Sequence, residues 1–321
     1  MPFVNDILGP RRPFVDEVPK LVAGRRRRTS TIDTHPDGAG GSLADLRARD
    51  VVGAEDGRFE VLGEIRMEAH LTDQVVDDIT SPAGLEALLG CRVGAGFRAK
   101  VGRLFPEEAE RASLLHLLLD DWVGAALVSG YATQYAAIIE GVEEKMPLGI
   151  ADRMAGICAG FAPDASLIAY TGRHDVIPTG RGPAAPPLSA LHEVEPLRAR
   201  GMRRYRRLDL AEVGTGSAHF QAHFRDSHMD DDLVETIVHE YTVAGTIDTL
   251  RRMITGVNAE VRVLPWQECP GAIGSASRIR GMTLAELRDR VRGEFVGTST
   301  CTHLNDTLRA IADLDALLDS R

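Results

Sequence analysis

At 321 residues, the chain is longer than an average domain and can bury a substantial core without disulfides or metals to staple it. Its 44% hydrophobic and 26% charged residues are those of an ordinary folded protein, and a formal charge of -10 argues against a general nucleic-acid surface. Four cysteines (Cys91, Cys158, Cys269, Cys301) are too few for a disulfide framework, the N-terminus has no basic leader followed by an apolar run, and no uncharged apolar stretch reaches about eighteen residues, so a cytoplasmic protein with no nucleic-acid or membrane partner is expected.

Residues 1–24, with Pro2, Pro10, Pro13 and Pro19, read as an irregular arm. Arg27 to His35 alternates as a strand and the turn after Pro36 closes it. Leu43 to Val52 is short and mixed. Phe59 to Leu71 alternates again, Thr72-Asp73-Gln74 is a hairpin tip, and Val75 to Thr80 follows as a further strand. From Pro82 the period becomes helical: short helices at 85–89 and 96–105, then a longer stretch from Glu107 through Leu119 toward Tyr135, with its glycines as the places for breaks. Residues 156–199, rich in Gly and Pro, form a connection in which Cys158 and His174 could line a cleft.

The second half opens with a strand at Met202 to Val213 and continues with strands at 217–225, 235–247 and 259–264, with Asp226 to Asp232 as a turn. Helices close the chain near 283–294 and 302–318. Arg27-Arg-Thr-Ser-Thr-Ile-Asp33 resembles Arg203-Arg-Tyr-Arg-Arg-Leu-Asp209, Asp73 matches Asp248, and His116-Leu matches His303-Leu, at offsets of 176, 175 and 187. A nearly constant offset points to a duplicated unit. The predicted fold is α+β: two related units, 25–155 and 200–321, each an antiparallel sheet covered on one face by helices.

Three groups of residues carry candidate chemistry. Cys301 and His303 stand at a helix start, where free backbone N–H groups favour a thiolate, and Asp306, three residues on, shares a helix face with His303. On the strand around 219–225, His223 and Arg225 face one way, with His239, Glu240 and Tyr241 on the next strand. Arg204 and Arg206 add cations for an anion clamp or for buried carboxylates. Cys269, Cys301 and His303 with His223 make a candidate tetrahedral zinc set. No glycine-rich nucleotide loop is present, so zinc is the one cofactor with candidate ligands.

Asp209 onward, with His223-Phe-Arg-Asp-Ser, Val238-His-Glu-Tyr, Leu264-Pro-Trp-Gln-Glu-Cys-Pro-Gly-Ala and the closing Cys301-Thr-His-Leu-Asn-Asp-Thr-Leu-Arg, resembles a bacterial family of unknown function, DUF2889. The resemblance covers residues 200–315 strongly and 20–135 faintly, and it implies no particular activity. The first-half counterpart of the closing motif reads Leu114-Leu-His116-Leu and lacks the thiol.

The residues themselves favour a small-molecule enzyme. It would be a hydrolase or lyase acting on an organic acid or acyl thioester, with Cys301, His303, His223, His239 and Asp306 catalytic and Arg225, Arg204, Arg206, Tyr241 and Glu240 binding the anionic substrate. Two alternatives stand beside it: a non-catalytic anionic-ligand-binding or regulatory protein, and a structural homodimer with buried polar networks.

Overall fold

The two arginine-rich segments form the central strands of the molecule. The computed structural model describes residues 8–15, 18–80, 84–214 and 216–320; Pro2 of the predicted arm and Pro82, at the predicted change of period, lie outside them. Strands β1 (Arg26–Pro36), β2 (Gly41–Gly53), β3 (Phe59–Thr72) and β4 (Val75–Thr80) make one antiparallel meander. Strands β5 (Met202–Ala211), β6 (Ser217–Met229), β7 (Glu235–Asp248) and β8 (Met253–Val263) make another. Because β1 pairs antiparallel with β5, all eight strands belong to one sheet in the order β4-β3-β2-β1-β5-β6-β7-β8. Helices against an antiparallel sheet are as predicted, and the sheets of the two units are one continuous sheet rather than two. Left apart, β1 and β5 would each be an edge with a row of unpaired backbone groups, and pairing them removes both edges.

The two meanders repeat one pattern at a constant displacement. β2 and β3 begin and end 176 residues before β6 and β7. The register shifts after Asp50 and His70 recur after Asp226 and Thr246, again 176 residues on. At the junction Ser30 lies opposite Arg206, its own counterpart in the repeat, so an approximate two-fold axis passes through that pair. The axis exchanges ion pairs as well: Arg27 holds Asp209 at 2.7 Å and Arg203 holds Asp33 at 2.6 Å. The predicted match of Asp73 with Asp248 is one residue out. The true counterpart of Asp248 is Thr72, because the β3–β4 turn has two residues, Asp73 and Gln74, both at positive φ, whereas the β7–β8 turn is longer.

Three strand expectations change. Residues 43–52, read as short and mixed, lie in β2, a full inner strand. Asp226, predicted in a turn, lies inside β6, and the last strand starts at Met253 rather than 259.

The first unit carries α1 (Phe97–Leu104), α2 (Pro106–Glu110), α3 (Leu114–Val128) and α4 (Tyr131–Glu140), and the connection adds α5 (Ile150–Met154) and α6 (Ser166–His174). The second unit carries α7 (Leu284–Glu294), α8 (Thr302–Ala310) and α9 (Leu314–Asp319). The helical stretch predicted over 107–135 is three helices: one break falls at Gly130, a glycine as expected, and the other, at 111–113, does not. Ala112 turns to φ +46°, which ends α2, and Ser113 then caps α3 by accepting from the backbone N–H of His116. α3, α8 and α9 pack on one sheet face, where apolar clusters around Leu46, Met67 and Trp122 and around Phe224, Val243 and Leu304 form the core.

The other face is covered by irregular chain. Phe14 of the arm donates its backbone N–H to Glu240, and Arg225 reaches the Pro186 carbonyl. His192 of the connection sits between Thr29 and Thr31. Among the described residues no helix is long and apolar enough to cross a membrane.

Candidate functional site

Strand alternation sorts the second unit's polar residues onto two faces. On β5, Arg204 and Arg206 point into the helical layer, while Arg203, Arg207 and Asp209 point to the face covered by the arm. The inward arginines meet carboxylates. Arg204, 1% exposed, forks onto Asp226 with donor–acceptor distances of 2.8 and 2.9 Å and reaches Asp306 of α8 at 2.9 Å. Asp121 of α3 lies 3.4 Å from Arg204 and also takes Arg206. Asp306 further accepts from Arg309 at 2.7 Å and Arg98 at 3.3 Å. These guanidinium groups hold the Asp226 and Asp306 carboxyls well below the usual carboxylate range, against the opposing effect of burial.

Gly124 makes the helix approach possible. A Cβ there would overlap the Arg204 guanidinium and the Asp306 carboxylate. Replacing Gly124 with Ala is expected to lower stability by about 1–3 kcal/mol through overpacking, despite the helix propensity gain of about 1 kcal/mol. A chemical denaturation midpoint equal to or above that of the wild type would contradict this.

Against this network lie two imidazoles. His239 of β7 is opposite Asp226 in the β6–β7 register, and His303, in the first turn of α8, stacks on it with ring centroids 3.6 Å apart and an 18° interplanar angle. His239 Nδ1 lies 3.3 Å and His303 Nε2 3.9 Å from Asp226 Oδ2. Both nitrogens are buried; among the described residues His303 Nε2 makes no hydrogen bond, and the 3.3 Å contact of His239 Nδ1 with Asp226 is too poorly aligned for a full one. Burial, then the neighbouring His239, hold His303 well below the usual histidine range, so it is neutral. Asp226, His239 and His303 bring three ligand atoms within 4.8 Å of one another, a group able to coordinate a metal ion. The Asp306 predicted to orient His303 instead serves the arginines, and Asp226 takes the place beside the imidazole.

The thiols differ from expectation in state. Cys301 precedes α8 as its N-cap residue, and the Tyr241 hydroxyl donates to its sulfur at 3.4 Å. Burial raises the Cys301 thiol above its ordinary value, outweighing the hydrogen bonds that lower it, so the predicted thiolate is not favoured. Cys269 is raised too, by burial and then by the fields of Cys301 and Cys158. His174, the other connection residue, stacks on Tyr170 at the surface.

His223 and Arg225 lie on the opposite face of the sheet. There the Glu240 carboxylate accepts from Arg225 at 2.7 Å and lies 2.9 Å from His223 Nε2. The predicted zinc set of Cys269, Cys301, His303 and His223 is thus divided by the sheet, and the predicted catalytic residues do not converge on one cleft. Cys301, His303, His239, Tyr241 and Asp306 share the helical face, whereas His223, Arg225 and Glu240 share the other.

Asp226 was the residue sequence reasoning missed. Its signal lies in the repeat: Asp50, 176 residues earlier, takes Arg28 through the same two-pronged bond. His116 is not the structural counterpart of His303. Relative to the capping residues Ser113 and Cys301, it stands one position later in its helix, a rotation of about 100°.

A search of curated proteins finds no match to the chain. The segments that carry these side chains on the two faces, His223-Phe-Arg-Asp-Ser, Val238-His-Glu-Tyr and Cys301-Thr-His-Leu, all fall within one match. Residues 202–316, from the first residue of β5 into α9, match the family described as Protein of unknown function (DUF2889).

Proposed function

We propose that the protein is a non-catalytic binding or regulatory protein whose second unit takes up a divalent transition-metal ion, with zinc the best fit, on Asp226, His239 and His303. The observation that carries this reading is the pair of buried, unpartnered imidazole nitrogens facing one carboxylate oxygen. In a tetrahedral zinc site with bonds of about 2.0–2.1 Å, ligand atoms lie roughly 3.3 Å apart, and the separations of 3.3 and 3.9 Å from Asp226 Oδ2 are close to that. Neutral imidazole is the form that ligates. Arg204 would act from behind Asp226, since ligating carboxylates are themselves hydrogen-bonded.

Two features set the demands of binding. The nearly parallel rings must rotate apart for their lone pairs to converge. The surrounding charges are already matched, Arg98, Arg204, Arg206 and Arg309 against Asp120, Asp121, Asp226 and Asp306, so the ion's charge adds to a neutral network and weakens its hold. A binding role is favoured over hydrolysis or elimination because the Cys301 thiol is protonated and the inward arginines are engaged by carboxylates.

Chelator-treated full-length protein titrated with Zn²⁺ is expected to bind one equivalent. His303→Ala and His239→Ala should each weaken binding at least tenfold, and Cys269→Ser should leave it unchanged. Absence of stoichiometric binding by the wild type, or undiminished binding in both histidine variants, would sink the metal reading.

A further inference from the structure

The helical layers of the two units meet at a second place suited to a ligand. A cleft of about 340 Å³ lies between α1 and α3 on one side and α7 and α8 on the other, a volume at the small end of ligand pockets. Its charged lining sets Arg98, Arg288, Arg292 and Arg309, with His116, against Glu110, Asp120 and Asp289. Most of these charges are matched: Arg98 and Arg309 hold Asp120, and Arg292 pairs with Asp289.

Two donor atoms are without a hydrogen-bond partner among the described residues. Arg288 donates through Nη2 to Asp313, a carboxylate it shares with Arg28, while its Nη1 is buried with no partner. His116, 8% exposed, likewise has a buried Nδ1 with no partner. A buried donor without an acceptor is costly, and the cost is largest for a charged one. Burial is the largest effect on the Arg288 pKa and lowers it; Asp120 opposes this, and Arg309, Arg28 and Arg206 add to it, so a further negative group beside Arg288 would be favoured.

We infer that the cleft binds a small phosphate-bearing ligand, with Arg288 Nη1 and His116 Nδ1 donating to its oxygens. Arg288 Nη1 supplies one charge-assisted donor to a tetrahedral oxyanion, its Nη2 being held by Asp313, and a neutral imidazole protonated on Nδ1 supplies the second donor. Arg292 stands at the exposed side of the cleft and draws the anion in without being held by it. The site uses residues from both units, so neither unit forms it alone. It is separate from the metal reading, which uses none of the donors assigned to the anion.

Calorimetric titration of the full-length protein with inorganic phosphate at low salt tests the inference. Saturable one-to-one binding is expected, with sulfate competing and acetate competing far more weakly. Arg288→Met should weaken phosphate affinity at least tenfold. Because that change also leaves Asp313 with one cation fewer and could compromise folding, His116→Phe provides the second variant, with a loss of about fivefold or more. Pretreatment with chelator should not alter any of these values, which keeps the result independent of metal binding. The inference is overturned by absence of saturable binding, by acetate competing as well as sulfate, or by a folded His116→Phe protein that binds as tightly as the wild type.

Discussion

Lowering the pH from 7 to 5 is expected to unfold the protein or bring it to the edge of unfolding. Several histidines are buried where protonation is disfavoured, and three of them carry the argument. His116 is pushed down to about 4 by burial and then by Arg288, His192 to about 4 by burial and then by Arg49 and Arg47, and His228 to about 4 by burial. His228 is enclosed by the rings of Tyr131 and Tyr135, and neither of its nitrogens has a hydrogen-bond partner. In the unfolded chain these groups titrate near 6.5, so the folded state binds fewer protons below that pH. Their stabilising effect is complete above the unfolded value and is lost as pH falls from about 6.5 toward 4. At pH 5 each loss is about 2 kcal/mol, or about 6 kcal/mol for the three, comparable with a typical total of about 5–15 kcal/mol. The carboxylates held down by arginines stay ionised across this window and do not offset the loss. Thermal melts at pH 7, 6 and 5 should show a falling Tm, and His228→Phe should flatten part of the fall. An unchanged Tm between pH 7 and 5 would show that the imidazoles find solvent or partners on protonation.

Arg204→Met should be among the most damaging single substitutions, costing about 3–5 kcal/mol. Among the described residues Arg204 is the one arginine or lysine bonded to Asp226, and it also touches Asp121 and Asp306. Asp226 is fully buried; without Arg204 its negative charge is left facing His239 and His303, and one imidazole would have to take up a proton to answer it. Removing both charges is a different matter: a well-packed apolar pair can replace a buried ion pair at little cost. Denaturant titrations of Arg204→Met and of Arg204→Met/Asp226→Leu separate these effects, because the double variant should recover a substantial part of the loss. If the double variant is less stable than the single one, the pair itself, rather than the stranded carboxylate, carries the stability.

The fold was legible where local pattern and tertiary context agree. Met202–Ala211 reads as a strand whose arginines suit either an anion or buried carboxylates, and the structure supplies carboxylates rather than an open anion clamp. β2 was obscured because its inward positions include Ala44 and Ala48, small residues that give little periodic signal, and because its identity as a strand comes from two neighbours. Asp226 was read as a turn because Asp-Ser-His-Met-Asp-Asp-Asp is rich in turn formers, yet the strand continues past its bulge to Met229. The site was legible by residue type more than by grouping. His239 and His303 were both named, but strand parity decides faces, and one bulge or one residue of register reverses them. Helix phase misled in the same way for His116.

The approximate axis through Ser30 and Arg206 relates the two units as protomers of a symmetric dimer are related, but here both belong to one chain. Pairing of β1 with β5 is consequently intramolecular, and the connection between the units sets an effective concentration that dilution does not change. It also frees each half from having to match the other. The position of His239 is Gly63 in the first unit, and that of His223 is Arg47. A two-chain assembly would have to change both copies at once; a fused one can place its imidazoles on one side of the axis and leave the other side to hold the shape.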